Sequence, residues 1–127
     1  MSADPDRGSA KVVLAQKLAA FEELWTPKIV AQLNGQQVKL AKVQGEFVWH
    51  AHADEDELFL VLEGELTVRL RDREVELRPG ELFVVPAGVE HMPVSPAGAS
   101  ILLFEPASTA HTGGVEDARC VDDPDWI

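Results

Sequence analysis

Apolar and polar residues alternate along much of the chain after residue 27, which is the pattern of β-strands with one buried face. Residues 28–33 and 37–43 flank Asn34 and Gly35, and this dipeptide favours a two-residue hairpin turn because both positions tolerate positive φ. Residues 65–70 and 74–78 predict a second hairpin with one solvent-facing side. Two continuous apolar runs predict strands that are buried on both faces: residues 82–85 and 101–104. Many short strands separated by glycine and proline turns indicate a sandwich or a barrel.

Only the segment before these strands has a helical pattern. Its apolar residues recur at helical spacing on one face: Leu14, Leu18, Phe21 and Trp25. Ser9 is a candidate N-cap, and Pro27 ends the pattern. The chain therefore divides into four segments: a disordered N-terminus over residues 1–8, a helix over 9–26, a β-barrel over 27–106 and an irregular tail over 107–127.

Acidic residues outnumber basic ones by 22 to 11, which gives a formal net charge of -11. Such a surface repels nucleic-acid phosphates and anionic lipid, so we expect no nucleic-acid or membrane partner. A single cysteine, Cys120, excludes an intrachain disulfide and a thiolate zinc cluster. The first residues lack the pattern of a secretory signal, and no apolar run is long enough to cross a bilayer, so we expect a cytoplasmic protein.

Two histidines stand one residue apart within an apolar segment, and four acids follow them. On a strand, the side chains of His50 and His52 would point to the same face. Of the acids in 54–57, only Glu57 directly precedes the next strand and could turn inward. A third histidine, His91, follows the turn at residues 86–88. Imidazoles and a carboxylate from such positions could bind one metal ion together.

Each of these residues also has a simpler interpretation. A lone histidine on a strand is more often an ordinary core or surface residue than a ligand, and an acidic run is usually a solvated loop. We accept the solvated loop for Asp54, Glu55 and Asp56, because the run lacks the central glycine and the ligand spacing of a calcium loop. For the histidines the joint arrangement favours a site, since three of the four histidines belong to it and only His111 is left without a role.

The chain resembles a small single-domain cupin, a mainly β protein with a jelly-roll β-barrel, here with an N-terminal α-helix. The first cupin motif is matched by five residues: Gly45, His50, His52, Glu57 and Gly64. The second is matched by four: Gly80, Pro86, Gly88 and His91. Gly45 is one residue closer to His50 than is usual, and Ser95 stands where asparagine is common. The resemblance covers residues 38–104 and implies four metal ligands: His50, His52, Glu57 and His91.

Three neutral imidazoles and one carboxylate suit a divalent Mn, Fe, Co, Ni or Zn ion and leave coordination positions open. The other residues expected to face the interior are mostly apolar: Val48, Phe59, Val61, Phe83, Val85 and Val94. Neither a further acid or base nor a cluster of basic residues for a phosphosugar is evident there. We therefore expect a metal-binding cupin that binds a small molecule. The alternative is a metal-dependent enzyme of the dioxygenase or isomerase type that acts on a small, partly apolar substrate.

The strand faces opposite the site also carry large apolar side chains. Alternation places Phe47 and Trp49 on the outer face of the barrel, together with the leucines at positions 58, 60 and 62. The N-terminal helix can cover part of this surface. Because cupins commonly pair through such a face, the resemblance implies a homodimer. The alternative is a monomer in which the helix and tail cover the sheet.

Overall fold

The computed structural model describes residues 10–109, 113 and 124–127. Within these ranges it contains one helix and seven strands: α1 (Leu14–Ala19), β1 (Lys28–Leu33), β2 (Gln36–Glu46), β3 (Glu57–Gly64), β4 (Leu66–Leu70), β5 (Glu74–Leu77), β6 (Leu82–Val85) and β7 (His91–Pro106). The N-terminus predicted to be disordered, and most of the predicted tail with His111 and Cys120, lie outside the described residues. In the described ranges no helix is long and apolar enough to cross a membrane.

The strands pair antiparallel in the order β1-β2-β7-β3-β6, with β4 joined to β5 and β7. β7 pairs with β4 over its first residues and with β3 over its later ones, so it belongs to both walls of a barrel-like fold. The sequence of residues 96–98 is typical of a turn, but these residues lie inside the long strand β7. The pairing register shifts here, since Val43 of β2 pairs with Ala99 and Gly45 pairs with Ser95. The mainly β fold predicted from the sequence is confirmed.

Both predicted hairpins are present. β1 and β2 are joined at Asn34 and Gly35, whose φ angles of 50° and 77° are those of a type I′ turn. β4 and β5 pair from Leu66 opposite Leu77, and Leu66 and Val68 are completely buried beneath this hairpin. The apolar alternation therefore identified the buried face correctly.

The helix is shorter than the 9–26 segment predicted from apolar spacing. It ends at Ala19, and the chain then runs to a bridge between Leu24 and Lys42 of β2. Trp25 donates its backbone N–H to the Lys42 carbonyl at 2.8 Å and has a φ of 56°, which is incompatible with a helix. Phe21 and Trp25 lie in different hydrophobic clusters, so their spacing reflects two separate burial sites rather than one helical face.

The strand at residues 82–85 is not buried on both faces as predicted. Phe83 and Val85 face the core, but Leu82 and Val84 are 56% and 42% exposed. Leu82 and Val84 lie on the outer face of the sheet, beside Leu60 and Leu58 of β3. A continuous apolar run is therefore present on a strand with one covered face.

Residues 124–127 form backbone hydrogen bonds with β1 around an isolated bridge between Ile29 and Trp126. The Ile29 N–H donates to the Asp125 carbonyl at 2.8 Å, and the Ile127 N–H donates to the Ile29 carbonyl at 3.1 Å. Lys17 of α1 donates its ammonium to the Ile127 main-chain oxygen at 2.8 Å. The described end of the tail therefore joins α1 to the sheet.

Candidate metal centre

The two histidine-bearing segments are held together by their backbones. The His50 N–H donates to the His91 carbonyl at 3.0 Å, and the His91 N–H donates to the His50 carbonyl at 2.8 Å. Residues 47–49 and 51–56 lie outside the strands, so the predicted histidine-bearing strand is reduced to this single bridge. Glu57 is the first residue of β3 and pairs with Val85 of β6. The site therefore forms where three segments meet at one end of the barrel.

The structure brings all four predicted residues together. One ligand atom from each of His50, His52, Glu57 and His91 lies within 4.8 Å of the others, and all four residues are buried. Glu57 Oε1 lies 3.2 Å from His52 Nε2 and 3.3 Å from His91 Nε2. Neighbouring ligands around an octahedral ion at about 2.2 Å are about 3.1 Å apart, so these distances fit a shared metal ion.

Backbone carbonyls set the orientation of two of the imidazoles. His50 Nδ1–H donates to the Val48 carbonyl at 2.8 Å, and His91 Nδ1–H donates to the Val89 carbonyl at 2.9 Å. Each Nε2 then presents a lone pair towards the centre, which is the usual arrangement around protein-bound metals. His52 Nδ1 is buried and has no hydrogen-bond partner among the described residues.

The charges of the site favour a cation. Burial lowers the pKa of His50 to about 4, with the neighbouring His91 adding to the shift, so its imidazole is neutral at neutral pH. Burial alone would raise the pKa of Glu57, but its close polar contacts with His52, His91 and Glu105 hold it well below its ordinary value. The neutral imidazole of His50 and the carboxylate of Glu57 therefore meet His52 and His91 at one buried point, where a cation would stabilise the carboxylate.

The three loop acids lie outside this cluster, as the sequence predicts. Asp54 and Asp56 are exposed and Glu55 is half-buried. Asp56 Oδ1 accepts the Ala87 N–H at 2.8 Å, and Glu55 Oε2 accepts the Ser108 hydroxyl at 3.1 Å. Two of the three acids thus connect the loop to neighbouring turns, a role beyond the solvation that the sequence suggested.

Replacing the loop acids should leave metal binding nearly unchanged. For the triple variant Asp54→Asn, Glu55→Gln, Asp56→Asn we expect a Ni²⁺ affinity within about threefold of wild type, because screened surface charges act weakly at this range. Isothermal titration calorimetry on both proteins checks this. A loss above a hundredfold would identify one of the three as a ligand.

Two interior polar residues were missed by the sequence analysis. Lys39 and Glu105 are 3% and 2% exposed, and Lys39 Nζ donates to Glu105 Oε1 at 2.9 Å. Burial raises the pKa of Glu105 well above its ordinary value, and the charge of Glu57 adds to this while Lys39 opposes it. The alternation of side chains along β2 could have indicated that Lys39 is buried, since Lys39 lies on the same face of the strand as Ala41 and Val43. The expectation that no acid or base accompanies the ligands was wrong.

An apolar cavity of about 30 Å³ adjoins the cluster, with room for one or two water-sized molecules. It is lined by His50 and Glu57 together with apolar residues that include Trp25, Phe47, Phe59 and Leu103. Phe47 is buried here and stacks on Trp25 with ring centroids 4.7 Å apart. The prediction that Phe47 faces outward was wrong, because residues 47–49 do not continue the alternation of β2.

Ser95, which replaces the asparagine common in the second cupin motif, has a structural role. It is completely buried, and its hydroxyl donates to the Glu65 carbonyl at 2.6 Å. This bond joins the irregular part of β7 to the turn between β3 and β4.

Part of this chain is similar to known proteins in sequence or in fold. The crystal structure of a cupin-2 domain containing protein from Shewanella frigidimarina has a TM-score of 0.74 and 44% identity, and the match covers 75% of this chain and 93% of that one. The uncharacterized protein YdbB of Bacillus subtilis is 41% identical over 63 residues, which are 49% of this chain and 56% of that protein. A 3-hydroxyanthranilate 3,4-dioxygenase of Xanthomonas campestris pv. campestris is 37% identical over 65 residues, which are 47% of this chain and 37% of the enzyme.

The chain thus spans between about a third and just over half of the length of these curated relatives. The family model described as a cupin domain matches residues 36–105. This range includes every residue of both sequence motifs and all strands from β2 to nearly the end of β7. Because the match extends over more than half of the chain, the protein belongs to the cupin domain family.

Proposed function

We propose that this cupin binds one divalent transition-metal ion through His50, His52, Glu57 and His91 and uses the remaining coordination positions to bind a small molecule. The observation that carries the proposal is the convergence of three imidazoles and one carboxylate within 4.8 Å in a buried site. By simple charge counting, the four ligands leave about one positive charge on the ion, which suits an anionic ligand. The donor set is compatible with Mn, Fe, Co, Ni or Zn.

The walls of the site define the class of molecule. Apart from the ligands, the cavity is lined by apolar and aromatic side chains, so its ligand is small, with an apolar body and one metal-binding group. The stacked rings of Trp25 and Phe47 form part of the wall. In a space of this volume, a ligand much larger than water would contact these rings.

Shortening Trp25 should widen the range of ligands. In the Co²⁺-loaded protein we expect Trp25→Leu to bind 4-phenylimidazole about tenfold more tightly than wild type. Removing a steric barrier from an apolar pocket changes the affinity for a larger ligand by about this factor. Imidazole itself should change by less than about threefold. Spectrophotometric titration measures both. Leu24→Ala, at a neighbouring exposed residue, is the matched control, and equal gains in the two variants would show that Trp25 does not limit the cavity.

An enzymatic role is the second candidate. It is supported by the similarity to the 3-hydroxyanthranilate 3,4-dioxygenase and by the apolar cavity beside the proposed metal position. An iron ion with open positions would supply the redox chemistry of such an enzyme. Within this chain, the aromatic walls would hold a small aromatic substrate and exclude water.

Oxygen uptake separates the two candidates. Iron-loaded protein is mixed aerobically with small aromatic diols and aminophenols, and both oxygen and products are followed. Substrate-dependent oxygen consumption that is lost on His91→Ala supports the enzyme. Reversible binding without turnover across this series supports the binding protein.

We also propose a homodimer and a cytoplasmic location. The dimer is supported by an apolar strip on the outer face of three neighbouring strands: Leu58, Leu60, Leu82, Val84 and Phe104. The cluster built around α1 includes Leu40, Leu62 and Leu102 but not this strip. The strip therefore provides a surface for a two-fold interface.

A charge in the strip should dissociate the dimer. We expect light scattering of wild type at micromolar concentration to give twice the chain mass of 13.9 kDa, and Leu82→Lys to give a single chain mass, because an unpaired lysine is costly to bury. Leu33→Lys, at a similarly exposed leucine outside the strip, is the control. A wild-type mass of one chain across a wide dilution range contradicts the proposal.

A further inference from the structure

The buried carboxyl group of Glu105 lies beside the proposed metal ligand Glu57. The β3–β7 ladder pairs Leu58 with Phe104 and Phe59 with Leu103, so Glu57 and Glu105 occupy the next opposing positions. They share the inward face with Phe59 and Leu103, whose side chains belong to the core. Directly opposed side chains on one face of an antiparallel pair have Cβ atoms about 4.5–5.5 Å apart, so the two carboxyl groups are close neighbours.

Lys39 of β2 holds Glu105 from the other side. It pairs in register with Leu103, two residues from Glu105 on β7, so the two polar side chains are diagonal neighbours. The Nζ to Oε1 distance is 2.9 Å, and both groups are almost fully buried. Lys39, Glu105 and Glu57 therefore form a row across three adjacent strands, ending at the imidazole cluster.

Lys39 holds only one of the two oxygens of Glu105. Glu105 Oε2 is buried and meets no donor in the described part of the chain, although Oε1 accepts from Lys39. Glu57 lies opposite Glu105 across the β3–β7 ladder, and its Oε1 faces His52 and His91. The position of the Glu105 side chain therefore limits the positions open to the Glu57 carboxylate.

We propose that Lys39 and Glu105 are positioning residues that hold the Glu57 carboxylate in the orientation in which it joins the three histidines. Lys39 fixes one end of the Glu105 carboxyl group, and the other end fixes Glu57. This inference rests on the proposed metal site. It assigns a function to a buried ion pair that would otherwise only add a desolvation cost to the fold.

The test compares three proteins. The double variant Lys39→Met, Glu105→Leu removes the row without leaving an unpaired buried charge, and such apolar replacements of buried ion pairs commonly preserve the fold. Glu105→Gln keeps a carbonyl oxygen for Lys39 and an N–H for Glu57. Arg69→Gln, Glu74→Gln removes an exposed ion pair with a 2.7 Å contact and serves as the control.

Thermal unfolding of the metal-free proteins measures any purely structural effect, and calorimetry with Co²⁺ measures affinity. We expect the double variant to lose about 10- to 100-fold in Co²⁺ affinity, the range found when groups that orient ligands are removed. Glu105→Gln and the control should stay within about threefold of wild type. The visible spectrum of bound Co²⁺, which reports coordination geometry, should change only in the double variant.

Wild-type affinity in the double variant overturns the inference while leaving the metal site intact. A loss in Glu105→Gln equal to that of the double variant also overturns it, because the amide keeps the positioning contacts. A wild-type protein that takes up no Co²⁺ overturns the proposed site together with this inference.

Discussion

Replacing both His50 and His91 with alanine is expected to lower the affinity for Ni²⁺ by more than about a thousandfold, because half of the ligand set is lost. The fold should survive, since the bond pair that joins these two positions runs between backbone atoms and does not need the imidazoles. Calorimetric titration of the metal-free proteins gives the affinity, and far-ultraviolet circular dichroism verifies the fold.

The loop-acid triple variant is the control for this experiment. It removes three charges close to the site in sequence but none of the four clustered side chains. A folded His50→Ala, His91→Ala protein that binds Ni²⁺ as well as this control would show that the cluster is not the metal site.

The second large effect is on stability and concerns Gly64, the last residue of the first cupin motif. Its φ is 77°, and a Cβ there would collide with the Gly98 carbonyl oxygen and lie 2.9 Å from the Ala99 Cα. Left-handed backbone costs a residue with a side chain about 1–2 kcal/mol, and overpacking against backbone adds about 1–3 kcal/mol. We expect Gly64→Ala to lower the free energy of unfolding by about 3 kcal/mol, measured by urea denaturation.

Gly80 separates the two causes. Its φ of 85° is similar, but no atom of the described residues lies within 4 Å of the position of its Cβ. Gly80→Ala should therefore show only the backbone cost of about 1–2 kcal/mol. If both variants lose the same stability, close packing of β3 against β7 is not the reason for glycine at position 64.

The sequence predicted what depends on local chemistry and spacing. Asn34 and Gly35 determine their turn by their own backbone preferences, and the motif spacing places the four site residues on segments that meet. The extent of the helix could not be predicted in this way. Apolar spacing shows that Phe21 and Trp25 are buried, but not that they are buried in different clusters.

The polar neighbours of the site depend on strand order and register. Lys39 and Glu105 are 66 residues apart, and their contact exists because β2 pairs with β7. Glu57 joins them because β3 pairs with the other edge of β7. The alternation of apolar and polar residues assigns each residue to one face of its own strand. It does not show which strands are adjacent or which residues lie opposite each other on neighbouring strands. The inward position of Phe47 was missed for a related reason, since the chain leaves β2 just before it.

The most direct test of the central proposal is to locate the ion. Crystals of the protein grown with Co²⁺ are measured at the cobalt absorption edge, and an anomalous difference map is calculated. We predict one strong peak bonded to His50, His52, Glu57 and His91 at about 2.0–2.2 Å from each ligand atom. Well-ordered side chains at the cluster with no peak between them, or a peak only elsewhere on the molecule, would contradict it.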